Sequence, residues 1–150
     1  MNLSTHFTLE EFILSQHAVR AGIANLPAAE ARSNLGRLAW MLEEVRHQLG
    51  DHAILINSGY RCPRLNTLIG SVSTSQHALG LAVDFLCPGY GSPRAICEVL
   101  QESPLQFDQL ICEGSWVHIS LAETARPARR EVLTAVFRVG QKTQYTRGLA

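Results

Sequence analysis

The sequence predicts a mixed domain, helices first and short strands after, and three observations predict it. Leu35, Leu38, Met41, Leu42, Val45 and Leu49 recur at steps of three and four, which sets them on one face of a helix. Residues 81–85 alternate, with Leu81, Val83 and Phe85 on one side and Ala82 and Asp84 on the other, the pattern of a half-buried strand. Residues 107–113 and 116–120 flank Gly114-Ser115, a pair suited to a two-residue hairpin loop. The helix is then a scaffold against which a sheet packs.

Length and charge bound what the chain does. Its 150 residues suit a single domain spanning 1–150, long enough for one good core. A formal charge of +0 and a hydrophobic share of 46% are those of an ordinary globular protein, not a disordered one. Balanced charge gives no electrostatic case for nucleic acid as a partner, and Arg126, Arg129, Arg130, Arg138, Lys142 and Arg147 read as a solvated face. No apolar run is long enough to cross a bilayer. The first residues lack a basic segment followed by an apolar one, so no signal peptide is expected; synthesis in the cytoplasm and a monomer are the defaults. Cys62, Cys87, Cys97 and Cys112 show no C-x-x-C spacing and read as small buried hydrophobes with free thiols.

In chain order, Thr8-Leu9-Glu10-Glu11 fits a capping box opening a helix over 9–17, with Phe7 and Phe12 placed as a hydrophobic staple. Residues 21–28 read as an irregular connection. Ser33 or Asn34 caps the long helix, and Gly50 sits where a left-handed residue ends it. Residues 53–57 have strand character, and 64–69 make a turn of helix before Gly70. Residues 71–75 are a polar loop delivering His77. Ser92 caps a helix that has Pro93 at its first position and ends at Ser103-Pro104. Residues 125–137 are helix or strand, and 138–150 an extended or loose tail.

The chemistry gathers on His77, Asp84 and His118. Two imidazoles and one carboxylate are a ligand set that catalytic zinc uses, with a fourth position left for water. A two-residue hairpin loop pairs Glu113 with Trp116, Cys112 with Val117 and Ile111 with His118, so Glu113, Trp116 and His118 share one face. Asp108, Leu110, Cys112, Val117 and Ile119 share the other. Glu113 is therefore the candidate general base, and Asp108 is the alternative if the loop holds one more residue. Arg61 is suited to grip a carboxylate or a developing oxyanion. Ser75 is placed to bind substrate or steady its loop, and Trp116 to wall a cleft. His6, His17, His47 and His52 carry no such pattern and read as ordinary surface or core residues.

Ser58-Gly59-Tyr60-Arg61, Ser75-x-His77-x-x-Gly80-x-Ala82-x-Asp84 and Trp116-Val117-His118 together resemble the zinc peptidases of the M15 family. These are D-alanyl-D-alanine carboxypeptidases and related wall endopeptidases, phage endolysins among them. His6-Phe7-Thr8-Leu9-Glu10-Glu11-Phe12 and Ile23-Ala24-Asn25 are similar to its short phage and prophage branch. The likeness covers about residues 5–121 and leaves 122–150 as a C-terminal extension. It implies an α+β domain whose central, mainly antiparallel sheet carries the metal, packed against N-terminal helices in the Hedgehog/DD-peptidase manner. It also implies one Zn2+ per chain on His77, Asp84 and His118, with Arg61 orienting the substrate. The family's base precedes the last histidine, and no acidic residue lies between Glu113 and His118, which favours Glu113 over Asp108. The expected substrates are peptidoglycan stem peptides or cross-links, reached by release at lysis or on a virion. A non-catalytic zinc module of a phage or its wall-binding apparatus is the alternative.

Overall fold

The computed structural model describes residues 1–149; Ala150, the end of the expected tail, lies outside the described residues. Helices α1 (Leu9–Ile13), α2 (Gln16–Ala21) and α3 (Ala29–Gln48) come first, and α4 (Pro63–Leu68) and α5 (Pro93–Gln101) interleave with six strands. The strands are β1 (Leu55–Ser58), β2 (Ala82–Leu86), β3 (Gln109–Cys112), β4 (Val117–Ser120), β5 (Glu131–Val136) and β6 (Gln144–Arg147). They form one sheet in the order β1-β2-β4-β3-β5-β6.

Local chemistry accounts for the helix ends. Both halves of the Thr8–Glu11 capping box are made, and the Phe7 and Phe12 rings stand 6.2 Å apart. The expected helix over 9–17 is instead two helices, because the Ser15 hydroxyl accepts from the Ala18 amide and opens a second one. Helix α3 begins at Ala29, ahead of the expected caps. Asn34 is inside it, and its side chain donates to the Leu79 carbonyl at 2.9 Å. Ser92 caps α5 by accepting from the Ala95 amide.

The apolar stripe of α3 and the inward side chains of the sheet make one core. Leu35, Leu38, Leu42 and Val45 share a buried cluster with Val83, Phe85, Val117 and Ile119, all fully inaccessible. Burying a side chain of this size contributes roughly 1.5–3 kcal/mol. All four cysteines are buried and free, and burial pushes the Cys97 thiol far up.

The hairpin register is the expected one, with Cys112 opposite Val117 and Ile111 opposite His118. The sheet as a whole is mixed, which corrects the expectation of a mainly antiparallel one: β3 and β5 run parallel. The cause lies in the connection after β4. The chain leaves β4 beside the start of β3, where the Asp108 amide donates to the Ser120 carbonyl. It then passes around that end, with the Arg130 and Glu131 amides donating to the Phe107 and Asp108 carbonyls. Strand β5 therefore sets out from the same end as β3 and must follow its direction. Within the expected loose tail, β6 pairs antiparallel with β5.

Candidate metal centre and its cleft

Each of the three predicted ligands is held by a different piece of local structure. His77 sits in a one-turn 3₁₀ segment, Gln76–Leu79, where its amide donates to the Ser75 hydroxyl and Gly80 ends the turn at φ +73°. Asp84 and His118 are directly opposite one another on β2 and β4. Their ligand atoms and that of His77 all lie within 4.8 Å of one another. His77 is 4% exposed, and the other two are half-buried.

The atoms facing inward are defined by hydrogen bonding. Nδ1 of His77 lies 2.8 Å from the Gly59 carbonyl, and a carbonyl only accepts, so that nitrogen carries the proton. Nε2 is then the lone-pair nitrogen, and it faces Asp84 Oδ1 at 3.4 Å. Nδ1 of His118 approaches the same oxygen at 2.9 Å. Ligands of a tetrahedral ion bound at roughly 2.0–2.1 Å stand about 3.3 Å apart. The donor set, two nitrogens and one carboxylate oxygen at these separations, fits zinc.

Electrostatics prepare the same atoms. Burial pushes the His77 imidazole down from its ordinary value, although Asp84 pulls the other way; a neutral ring is the form that binds metal. Burial works to raise the Asp84 carboxyl, but hydrogen bonds and charge from His118 and His77 outweigh it and hold the group well below the carboxylate range. Burial raises the Glu113 carboxyl, with His118 opposing and Asp84 adding to the rise.

A cleft of about 1200 Å³ opens over the cluster and is lined by Arg61, Ser75, His77, Asp84, Glu113, Trp116 and His118 together. Arg61 is held from behind by its amide, which donates to the His77 carbonyl at 3.2 Å. Its buried Nε has no hydrogen-bond partner among the described residues. Burial lowers the guanidinium from its usual value while Asp84 restores part of that.

The strand alternation puts Asp108 on the face of Leu110 and Cys112, and the structure corrects this. Asp108 precedes β3, and its carboxylate borders the cleft. Arg129 donates to both its oxygens, at 3.0 and 2.7 Å, and the Gln76 side chain donates to Oδ2 at 2.9 Å. The Arg129 hydrogen bond, against the effect of burial, lowers its carboxyl. Sequence reasoning missed this Arg129–Asp108–Gln76 chain, which ties the C-terminal segment to the residue before His77. It also missed the Gly59 carbonyl, and no sequence signal marks a main-chain acceptor.

The chain is similar to known proteins. The family model described as Peptidase M15 matches residues 5–120. Over 74 residues the chain is 38% identical to the zinc D-Ala-D-Ala carboxypeptidase of Streptomyces albus G, a stretch covering 49% of this chain and 28% of that protein. The likeness thus spans less than a third of the relative's length. Among the described residues, no helix is long and apolar enough to cross a membrane.

Proposed function

The chain belongs to the peptidase M15 family, and on that premise we propose that it is a zinc peptidase hydrolysing amide bonds of peptidoglycan stem peptides or cross-links. The observation that carries this reading is the convergence of His77 Nε2 and His118 Nδ1 on Asp84 Oδ1, at 3.4 and 2.9 Å, in a cleft that also holds Glu113. His77, Asp84 and His118 would hold the ion, one per chain. When bound, zinc supplies Lewis acidity, acidifying water and polarising the scissile carbonyl.

Glu113 is the general base in this reading. Its carboxylate takes a proton from the attacking water and returns one to the leaving amine nitrogen. A half-buried carboxyl with a raised proton affinity suits both halves of that task. Arg61 orients the substrate, offering a guanidinium with an unused donor to a carboxylate or to the oxygen that gains charge. Ser75 fixes the His77 turn through its hydroxyl, and Trp116 walls the cleft. Asp108 has both carboxylate oxygens committed to Arg129 and Gln76, which supports Glu113 over it.

The finer activity is a D,D-carboxypeptidase or endopeptidase, and the relative's name favours an action on D-Ala-D-Ala. A phage or prophage setting is the extension that the N-terminal resemblance supports. Mass spectrometry of muropeptides after digestion with the zinc-loaded protein tests the proposal. Loss of a terminal D-alanine identifies a carboxypeptidase, and conversion of cross-linked dimers to monomers an endopeptidase. Intact muropeptides would leave the zinc-containing binding module in its place.

A further inference from the structure

The strand pair β5–β6 lies beyond the residues matched by the family model, yet it builds part of the cleft. Two rows of residues cross the working face of the sheet. The first runs through Asp84, His118, Ile111 and Leu133, opposed strand to strand. The second starts at Trp116 and Glu113, joined by a hydrogen bond from the Glu113 amide to the Trp116 carbonyl at 3.0 Å. Continuing the β3–β5 register by one residue past Cys112 and Thr134 brings Ala135 next. Tyr145 stands opposite Ala135 on β6.

Directly opposed residues share a face, so Tyr145 is on the row of Glu113, with only the methyl group of Ala135 between them. Two strand spacings separate their backbones by about 10 Å, which a glutamate and a tyrosine leaning over an alanine can bridge with a ligand between them. Tyr145, Phe137 and Leu133 line the same cleft as His77 and Glu113. Burial, then the charges of Glu113 and Asp84, push the Tyr145 phenol up, so it is a protonated donor at neutral pH. Among the described residues that hydroxyl has no hydrogen-bond partner, and the side chain is half exposed.

The wall is also anchored. Gly114, at φ +79°, has no Cβ, and one built there would stand 3.2 Å from Cε2 of Phe137. The Phe137 ring thus rests on the turn immediately after Glu113. At the start of β5, Arg129 clamps Asp108, and the Thr134 hydroxyl donates to the Gly148 carbonyl at 2.7 Å.

We propose that Tyr145 is a substrate-contacting residue, its hydroxyl donating to a carbonyl or carboxylate of a stem peptide lying between it and Glu113, and that β5–β6 is a specificity wall of the cleft. This rests on the peptidase reading above. The test compares wild type with Tyr145→Phe, which keeps the ring and removes only the donor. Steady-state kinetics use the zinc-loaded protein and a synthetic stem pentapeptide ending in D-Ala-D-Ala. Calorimetric titration of the same peptide into Glu113→Gln, with and without Tyr145→Phe, gives Kd free of turnover. Loss of one neutral hydrogen bond corresponds to roughly a threefold to tenfold rise. We expect that rise in both KM and Kd, larger than any change in kcat, with zinc content and Tm unaltered. A KM equal to wild type and a Kd equal to that of Glu113→Gln alone would overturn the assignment while leaving the peptidase reading standing. A zinc-loaded wild type that neither binds nor cuts the peptide would remove both.

Discussion

Nδ1 of His77 donates to the Gly59 carbonyl at 2.8 Å, and this one bond decides which ring nitrogen faces Asp84. The acceptor belongs to the main chain, so no side-chain substitution at Gly59 removes it directly. It is held in place because α1 is bonded to the other end of the same peptide group: the Tyr60 amide donates to the Phe12 carbonyl at 2.7 Å. A Cβ on Gly59 would stand 2.5 Å from that carbonyl oxygen.

Gly59→Ala should therefore push α1 away from the strand end. Overpacking of this kind costs about 1–3 kcal/mol, which in a chain of this size lowers Tm by roughly 2–4 °C per kcal/mol. Zinc affinity should fall in the same variant, since the His77 ring loses its fixed orientation. Differential scanning calorimetry and zinc titration check both; a Tm and affinity matching wild type would refute the close-approach account.

His77→Ala and His118→Ala each remove one of the three proposed zinc ligands. Zinc content after dialysis, measured by inductively coupled plasma mass spectrometry, should drop from one per chain toward zero, with hydrolysis lost. Full hydrolytic activity in a verified metal-free variant would exclude the centre as the seat of catalysis.

Glu113→Gln keeps the side-chain volume and removes the carboxylate proposed as the base. Zinc should be retained and kcat should fall by about 10²–10⁴-fold, the usual contribution of a positioned proton acceptor. Wild-type turnover in this variant would move the role elsewhere in the cleft.

Arg61→Lys keeps the positive charge but loses the planar fork that grips a carboxylate with two bonds. We expect KM for a peptide with a free C-terminal carboxylate to rise about tenfold or more, with zinc content unchanged. An unaltered KM would show that Arg61 does not hold the substrate.

Asp108 contributes to the acid stability. Its carboxyl is lowered by Arg129, so the folded state binds its proton less readily than the unfolded chain, whose aspartates titrate near about 3.9. The stabilisation is complete above that value and is lost as pH falls through the lower folded value. Asp108→Asn should cost about 1.5–3 kcal/mol at neutral pH, the range for hydrogen bonds to a charged group. Its difference from wild type should shrink below pH ~4. Urea unfolding at a series of pH values measures this, and a pH-independent difference would contradict it.

The sequence alone carried the features that depend on near neighbours and on periodicity. The Thr8–Glu11 box, the α3 stripe, the Ser92–Pro93 helix start and the two-residue turn at Gly114-Ser115 are written within a few residues each. The grouping of His77, Asp84 and His118 is expected from their residue types and from the family resemblance, whereas the pairing that sets Asp84 opposite His118 joins strands 34 residues apart. Tertiary structure decided the rest. The parallel course of β5 depends on which end of β3 the chain reaches after β4. The removal of Asp108 from the core face depends on an arginine that arrives from 21 residues later. The placement of Tyr145 on the row of Glu113 requires three strand pairings laid side by side. A pattern of two or 3.6 residues tells which way a side chain points along its own segment; which distant segment meets it is settled only when the core closes and the chain's long-range hydrogen bonds are all assigned.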